Sequence, residues 1–301
     1  YELDDPEFVK TLTMLEDFQK NFTRPALGDM IPALKDIPTT FQKNLRRDMK
    51  EYIEFLLNIF ADHRENFDKN DTRDVADYLV QMNDELKENE EGPVKMEDRH
   101  FVMILSDMFL AGTDTSRLSL TWMLYFLAAF PEKQQKAQRE IDDKIGKSAI
   151  TTTNRIDIPY CEAILYETLR MRSPAPMAVP REATCDTSVG GYDVPKGMQV
   201  VPNLQGIHMN PLYWDNPEEF RPERFIDEEG NLAPKPENFL PFSTGRRQCV
   251  GEAFAKLELH TVIGMLLQRF TFEVAPGETA NLDVSSLNNM PIGFNLVIKE
   301  R

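Results

Sequence analysis

The chain has one cysteine in a setting suited to chemistry, within Phe242–Ser243–Thr244–Gly245–Arg246–Arg247–Gln248–Cys249–Val250–Gly251–Glu252. Gly245 and Gly251 bracket Cys249 just ahead of an expected helix. Amides at a helix N-terminus stabilise an anion, here a thiolate. Glycines let the backbone come close to a flat or bulky group. Arg247 is placed to meet an acidic group on a ligand. A nucleophilic cysteine would need a base, and the histidines are His63, His100, His208 and His260. His260 lies far along the same expected helix, beyond reach of Cys249 at ~1.5 Å per residue, although the others could approach in space. A phosphatase loop would need an arginine where Ala255 stands, and a phosphate-binding loop fails because Glu252 follows Gly251. Zinc needs clustered ligands, and no Cys-x-x-Cys or His-x-x-x-His occurs. Two readings survive: a single thiolate ligating a cofactor metal, or an inert buried cysteine.

The second stretch is Ala111–Gly112–Thr113–Asp114–Thr115–Ser116, set between Phe101–Leu110 and Leu118–Phe126, which are rich in apolar residues. Glycine inside a helix costs about 1 kcal/mol against alanine. An acid and hydroxyls on an apolar face cost more unless partnered. The segment therefore reads as a local opening of a helix beside a ligand, with Asp114 and Thr115 handling protons, or as a polar spot at a helix crossing. The third stretch is Glu167–Thr168–Leu169–Arg170. Glutamate and arginine three apart face each other on a helix. Arg224, in Phe220–Arg221–Pro222–Glu223–Arg224–Phe225, offers forked donors to the same carboxylate. Glu167, Arg170 and Arg224 can then form one buried network that pins a loop to a helix.

These residues need elements to hold them. Phe41, Leu45, Met49, Tyr52, Leu56, Phe60 and Phe67 recur at mostly three- and four-residue steps, predicting a helix over 41–69. A longer helix should start soon after Pro93 and stop before Pro131. Pro131 suits the first turn of a third, ending near Gly146, and Pro159 opens a fourth through Arg172. Residues 174–203 carry turn signals at Gly190–Gly191 and Pro195–Lys196–Gly197 and read as short strands. Residues 208–250 read as irregular, with a last helix from Glu252 to Phe270 and a strand near Phe294–Ile298. Asp84–Glu91 reads as a solvated acidic loop. The fold class is mainly α with a small β portion.

Composition narrows the classes. Net charge is −16, from 34 Lys+Arg against 50 Asp+Glu, which argues against a nucleic-acid partner. Three cysteines exclude a disulfide framework, and Cys161 and Cys185 read as structural. The longest apolar run, Trp122–Phe130, falls well short of the ~20 residues that span a bilayer.

With its motifs laid out, the sequence resembles the cytochrome P-450 family of haem-thiolate monooxygenases. The loop matches that family's Phe-x-x-Gly-x-Arg-x-Cys-x-Gly at Phe242, Gly245, Arg247, Cys249 and Gly251. The long helix matches Ala/Gly-Gly-x-Asp/Glu-Thr-Thr/Ser at Ala111, Gly112, Asp114, Thr115 and Ser116. Glu167 and Arg170 match Glu-x-x-Arg, and Arg224 matches the Pro-Glu-Arg-Phe arginine. The resemblance covers essentially the whole chain and is nearest the animal microsomal group that holds steroid 17-hydroxylases and aryl-hydrocarbon hydroxylases.

The resemblance implies the cytochrome P-450 fold, C-terminal part only, with the long helix crossing a haem b. Cys249 would be the proximal iron ligand, its thiolate favouring O–O cleavage. Arg247 and Arg181 would meet the propionates, Phe242 would pack near the haem, and Asp114 and Thr115 would guide the protons by which one oxygen atom leaves as water. Glu167, Arg170 and Arg224 would be structural. Phe109, Leu110, Ala111, Ala178, Val179 and Pro291 match places where the family lines a pocket for a hydrophobic substrate. Electrons would come from NADPH-cytochrome P-450 reductase, with cytochrome b5 as a further donor, docking on a basic patch of Arg246, Lys256, Lys133, Lys136 and Arg139. The whole chain, 1–301, would be one part of a single domain. A membrane anchor, early helices and a β-rich region would precede Tyr1, and the parent enzyme would sit on the cytosolic face of the endoplasmic reticulum membrane. Two other readings use the same residues: a haem-thiolate peroxide isomerase or dehydratase, whose known members usually lack the Asp114–Thr115 pair, and a non-catalytic truncated chain.

Overall fold

The computed structural model describes residues 40–88, 97–285 and 289–301, with Pro6, Val9 and Thr13. The chain divides into two compact units, Tyr1–Ala111 and Gly112–Arg301.

In the first unit, α1 (Thr40–Glu65) and α2 (Val75–Glu88) pack with the start of α3 (Asp98–Ala129). Tyr52, Leu56 and Phe60 stand one turn apart on α1 and bury against Leu79 and Val80 of α2 and Phe101, Val102 and Leu105 of α3. The Phe60 and Phe101 rings stack at 6.1 Å. Asp74 caps α2 by accepting from the amides of Ala76 at 2.9 Å and Asp77 at 3.1 Å. This overturns the reading of Asp84–Glu91 as a loop: residues 84–88 continue α2, while 89–91 lie outside the described residues. Ala76, Leu79, Val80 and Asn83 form the buried stripe of that helix, and Asp84 and Glu85 are its wet face. The α1 helix stops at Glu65, so Phe67 lies beyond its end.

The second unit is built on the rest of α3 with α4 (Pro131–Lys144), α5 (Pro159–Met171) and α7 (Glu252–Arg269). Leu118, Trp122, Met123, Phe126 and Leu127 of α3 and Leu259, Ile263 and Leu267 of α7 share one core with α5. Every residue from Tyr160 to Met171 is buried, so α5 is the central element of this unit. Pro131 and Pro159 each open a helix, as expected, where the missing N–H costs nothing.

The strands expected over 174–203 are two short antiparallel pairs. They are β1 (Arg181–Glu182) with β4 (Gln199–Val200), and β2 (Thr187–Val189) with β3 (Tyr192–Val194). A five-residue helix, α6 (Leu204–His208), was not foreseen. The terminal strand is β6 (Leu296–Glu300), displaced two residues from Phe294–Ile298, and it pairs with β5 (Phe270–Val274). β5 follows α7 directly, and Gln134 on α4 bonds it as a strand would. The Gln134 side chain accepts from the Phe272 amide at 2.8 Å and donates to the Phe272 carbonyl at 2.9 Å.

Candidate functional site

The cysteine loop is held at one end and open at the other. Phe242 is half-buried against the core. Ser243 (φ 63°) and Gly245 (φ 75°) take left-handed backbone, which turns the chain sharply into a short 3₁₀ segment, Gly245–Arg247. The Cys249 amide donates to the Phe242 carbonyl at 2.9 Å and closes the loop. Gly251 then caps α7, and its carbonyl accepts the first helical bond, from Ala255 at 2.8 Å. Thr244 through Val250 are exposed, Cys249 among them as a free thiol. Cys249 is therefore not a buried cysteine. That description fits Cys161, which is fully buried, its thiol pushed up by desolvation. Cys185, read as structural, is exposed.

The glycines around the thiol leave room. A Cβ on Gly245 would meet nothing within 4 Å, and one on Gly251 would lie 3.8 Å from the Cys249 sulfur. Arg247 and Arg181 are both exposed, and Arg181 Nη2 donates to Ser243 Oγ at 3.2 Å.

The middle of α3 does not open. Helix continues through Ala111–Gly112–Thr113–Asp114–Thr115–Ser116, which corrects the expected break. The helix tolerates the segment because its polar groups are wet or paired. Gly112 and Thr115 are exposed, and a Cβ on Gly112 would meet nothing within 4 Å. Asp114 accepts from Arg117 at 2.6 and 3.0 Å, one helical turn on. Ser116 is buried and donates to Glu258 of α7 at 3.0 Å. Ala178 is half-buried with a left-handed φ of 48°, Val179 is exposed, and Pro291 is half-buried in a bridge to Val284. Phe109, Leu110 and Ala111 belong to the first unit, where Phe109 and Ala111 are exposed and Leu110 packs on the core.

Glu167, Arg170 and Arg224 come together as expected. Arg170 donates to both Glu167 oxygens, at 2.7 and 2.9 Å, and Arg224 Nε reaches Glu167 at 3.1 Å. The Arg221 amide adds a fourth donor to Glu167, at 2.9 Å. Arg170 also donates to the carbonyls of His208 at 2.7 Å and Pro217 at 2.8 Å. Its guanidinium lies 5.2 Å from the Trp214 ring. Arg224 ties down Asp215 and Asn216 through their carbonyls.

The chain matches known proteins over most of its length. A model of the cytochrome P450 family matches residues 1–293. Steroid 17-alpha-hydroxylase/17,20 lyase of Gallus gallus is 37% identical over 277 residues, 91% of this chain and 54% of the relative. Cytochrome P450 2U1 of Homo sapiens is 36% identical over 91% of this chain and 51% of the relative. Cytochrome P450 1A1 of Limanda limanda is 33% identical over 94% and 55%. This chain belongs to the cytochrome P450 family. It spans about half the length of the curated relatives it matches.

The P450 motif residues fit the family's haem-thiolate group. The thiol is accessible, a Cβ on Gly245 would meet nothing within 4 Å, and the neighbouring Val250 side chain is exposed. The exposed Arg181 and Arg247 supply cations for carboxylates.

The expected basic patch needs correction. Lys256 is buried, paired with Glu252 and lying over Phe242 at 5.2 Å, so it supports the loop instead of facing a partner. Lys133 and Lys136 are both paired with Glu223, at 3.2 and 3.1 Å. Arg246 and Arg139 are exposed.

Glu223 itself was missed. It also accepts from the Tyr160 hydroxyl at 2.8 Å. Burial pushes its carboxyl up, but bonds from Tyr160, Lys136 and Lys133 outweigh that and hold it at about 2. Its place inside Pro-Glu-Arg-Phe was the available signal. Glu162, which is fully buried, is also held at about 2: desolvation raises it, and His260, Arg155 and Tyr166 overcome that. The spacing of those residues gave no hint of the cluster.

Proposed function

We propose that this chain carries the haem-thiolate half of a monooxygenase that inserts one atom of O2 into a hydrophobic substrate, steroid-like or aromatic. The observation that carries this reading is the exposed Cys249 thiol, fixed by the Phe242–Cys249 hydrogen bond at the head of α7. The steroid-like part of the substrate class is supported by the name of a relative, a steroid hydroxylase, and the aromatic part by the sequence resemblance alone.

Cys249 would ligate the iron of haem b, with Arg247 and Arg181 on its propionates and Phe242 packed near its face. When bound, the haem supplies electron transfer and O–O cleavage driven by the thiolate. The chain does the rest. Gly251 caps α7 and so sets the Cys249 loop at the head of that helix. Asp114 and Thr115, adjacent on α3, handle the protons, and Arg117 holds the Asp114 carboxylate in place at 2.6 Å. Glu167, Arg170 and Arg224 keep the segment before the cysteine loop in register without touching substrate.

The electron donor we propose is NADPH-cytochrome P-450 reductase, with cytochrome b5 as a second. The cellular site we propose is the cytosolic face of the endoplasmic reticulum membrane. No helix among the described residues is long and apolar enough to cross a membrane. The test is turnover of steroids and planar aromatics with reductase, NADPH and O2. Product that requires all three supports the reading. Product formed from a hydroperoxide without reductase would make the protein a peroxide isomerase or dehydratase instead.

A further inference from the structure

We propose that Ser116 and Glu258 form a positioning pair that fixes the proton-handling turn of α3 against the helix bearing the cysteine loop. The inference rests on the haem-thiolate reading above and goes beyond its residues.

Hydroxyls inside a helix usually bond back to a carbonyl of their own preceding turn. Ser119 does so, donating to the Thr115 carbonyl at 2.8 Å, and Thr121 donates to the Arg117 carbonyl at 2.9 Å. Ser116 does not. It is buried, and its hydroxyl leaves α3 for the carboxylate of Glu258 on α7 at 3.0 Å. The acceptor is a carboxylate, so the bond is stronger than one between neutral groups.

The two ends of this bond stand beside the two motifs. Ser116 follows Thr115 directly. Glu258 lies about two turns into the helix that Gly251 caps, just after Cys249. Leu259 and His260, both buried, hold α7 in the core at that level, so the Glu258 backbone is a fixed point. Successive helical residues project roughly 100° apart. Pinning Ser116 toward Glu258 therefore sets the rotation of α3 about its axis and the direction in which Thr115 projects. A proton donor misdirected by about 1 Å loses efficiency steeply.

The test uses the haem-loaded protein with reductase, NADPH and the substrate that gives most product in the turnover screen. The readouts are peroxide released per NADPH consumed and the reduced carbon-monoxide spectrum. Ser116→Ala and Glu258→Ala should each raise the peroxide fraction several-fold with the thiolate band intact. Ser116→Thr and Glu258→Gln keep a hydroxyl and an acceptor oxygen, and should stay near the parent value. The double Ser116→Ala/Glu258→Ala variant should be no worse than either single. An unchanged peroxide fraction in both alanine variants overturns the proposal, and so does loss of their thiolate band. If the parent protein lacks the thiolate band or forms no product, the haem-thiolate reading itself has failed, a result distinct from failure of the pair.

Discussion

Around Glu167, every side-chain nitrogen of Arg170 and Arg224 ends on an acceptor within the protein, and Glu167 and Arg170 are fully buried. Around Cys249, seven consecutive residues from Thr244 to Val250 face outward. Both regions carry family motifs, and they are built on opposite principles. The first is a closed set of charges whose partners all lie in this chain, so removing one strands the others in the core. The second spends its residues on shape: left-handed backbone at Ser243 and Gly245, missing side chains at Gly245 and Gly251, and one amide bond closing the loop. A motif that serves the fold is satisfied from within. The Cys249 motif, for which we propose a ligand, stays open, with left-handed backbone at Ser243.

The contrast predicts where substitutions will hurt. Glu167→Ala leaves two buried or half-buried guanidinium groups without their carboxylate and should cost about 3–5 kcal/mol in urea unfolding. Gly293→Ala should come next, at about 1–3 kcal/mol by the same measurement. Gly293 has φ 78°, and its new methyl would overlap the Tyr125 hydroxyl. Gly245→Ala imposes the same left-handed strain at φ 75° but meets open space, so about 1–2 kcal/mol is expected. Its effect on haem retention should exceed its effect on stability. Cys249→Ser should fall within about 0.5 kcal/mol of the parent chain in unfolding, since Cys249 is exposed. A large loss there would mean that the loop is structural and would erase the contrast.

The smallest effect is a pH dependence at the border of the two regions. Lys235 lies over the Tyr166 ring at 4.9 Å, and Lys256 lies over the same ring at 5.6 Å. Desolvation first, then the neighbouring Lys256, lowers the Lys235 ammonium to about 8. Its unfolded value is near 10.5, so between the two the unfolded chain binds more protons and stability rises with pH. Lys235→Gln should be slightly more stable than the parent at pH 7. That advantage should fade as pH rises through 8 toward 10.5. Thermal unfolding at stepped pH measures it, and a constant difference would show that Lys235 titrates normally.

Much of the helical frame was legible because proline and apolar spacing act locally. Pro131 and Pro159 mark helix starts whatever packs around them, and Tyr52, Leu56 and Phe60 repeat at the helical period. Glu167, Arg170 and Arg224 were legible as a set because their chemistry is self-complementary. Other features depend on distant partners. The Phe270–Val274 strand has no turn before it and is defined by Leu296–Glu300 and by Gln134. The α2 helix was hidden because its acidic face dominates the composition. The expected opening at Gly112 failed because an exposed glycine can remain helical when its neighbours are wet. Lys256 read as surface charge because sequence cannot show that Glu252, one turn back, neutralises it under two aromatic rings.

We propose that Cys249 ligates the haem iron. The reduced carbon-monoxide difference spectrum of the haem-loaded protein, recorded beside that of Cys249→Ser, tests it most directly. The thiolate-type Soret shift should appear in the parent protein and be absent from the variant. The same band in both would show that some other residue ligates the iron and would contradict the account.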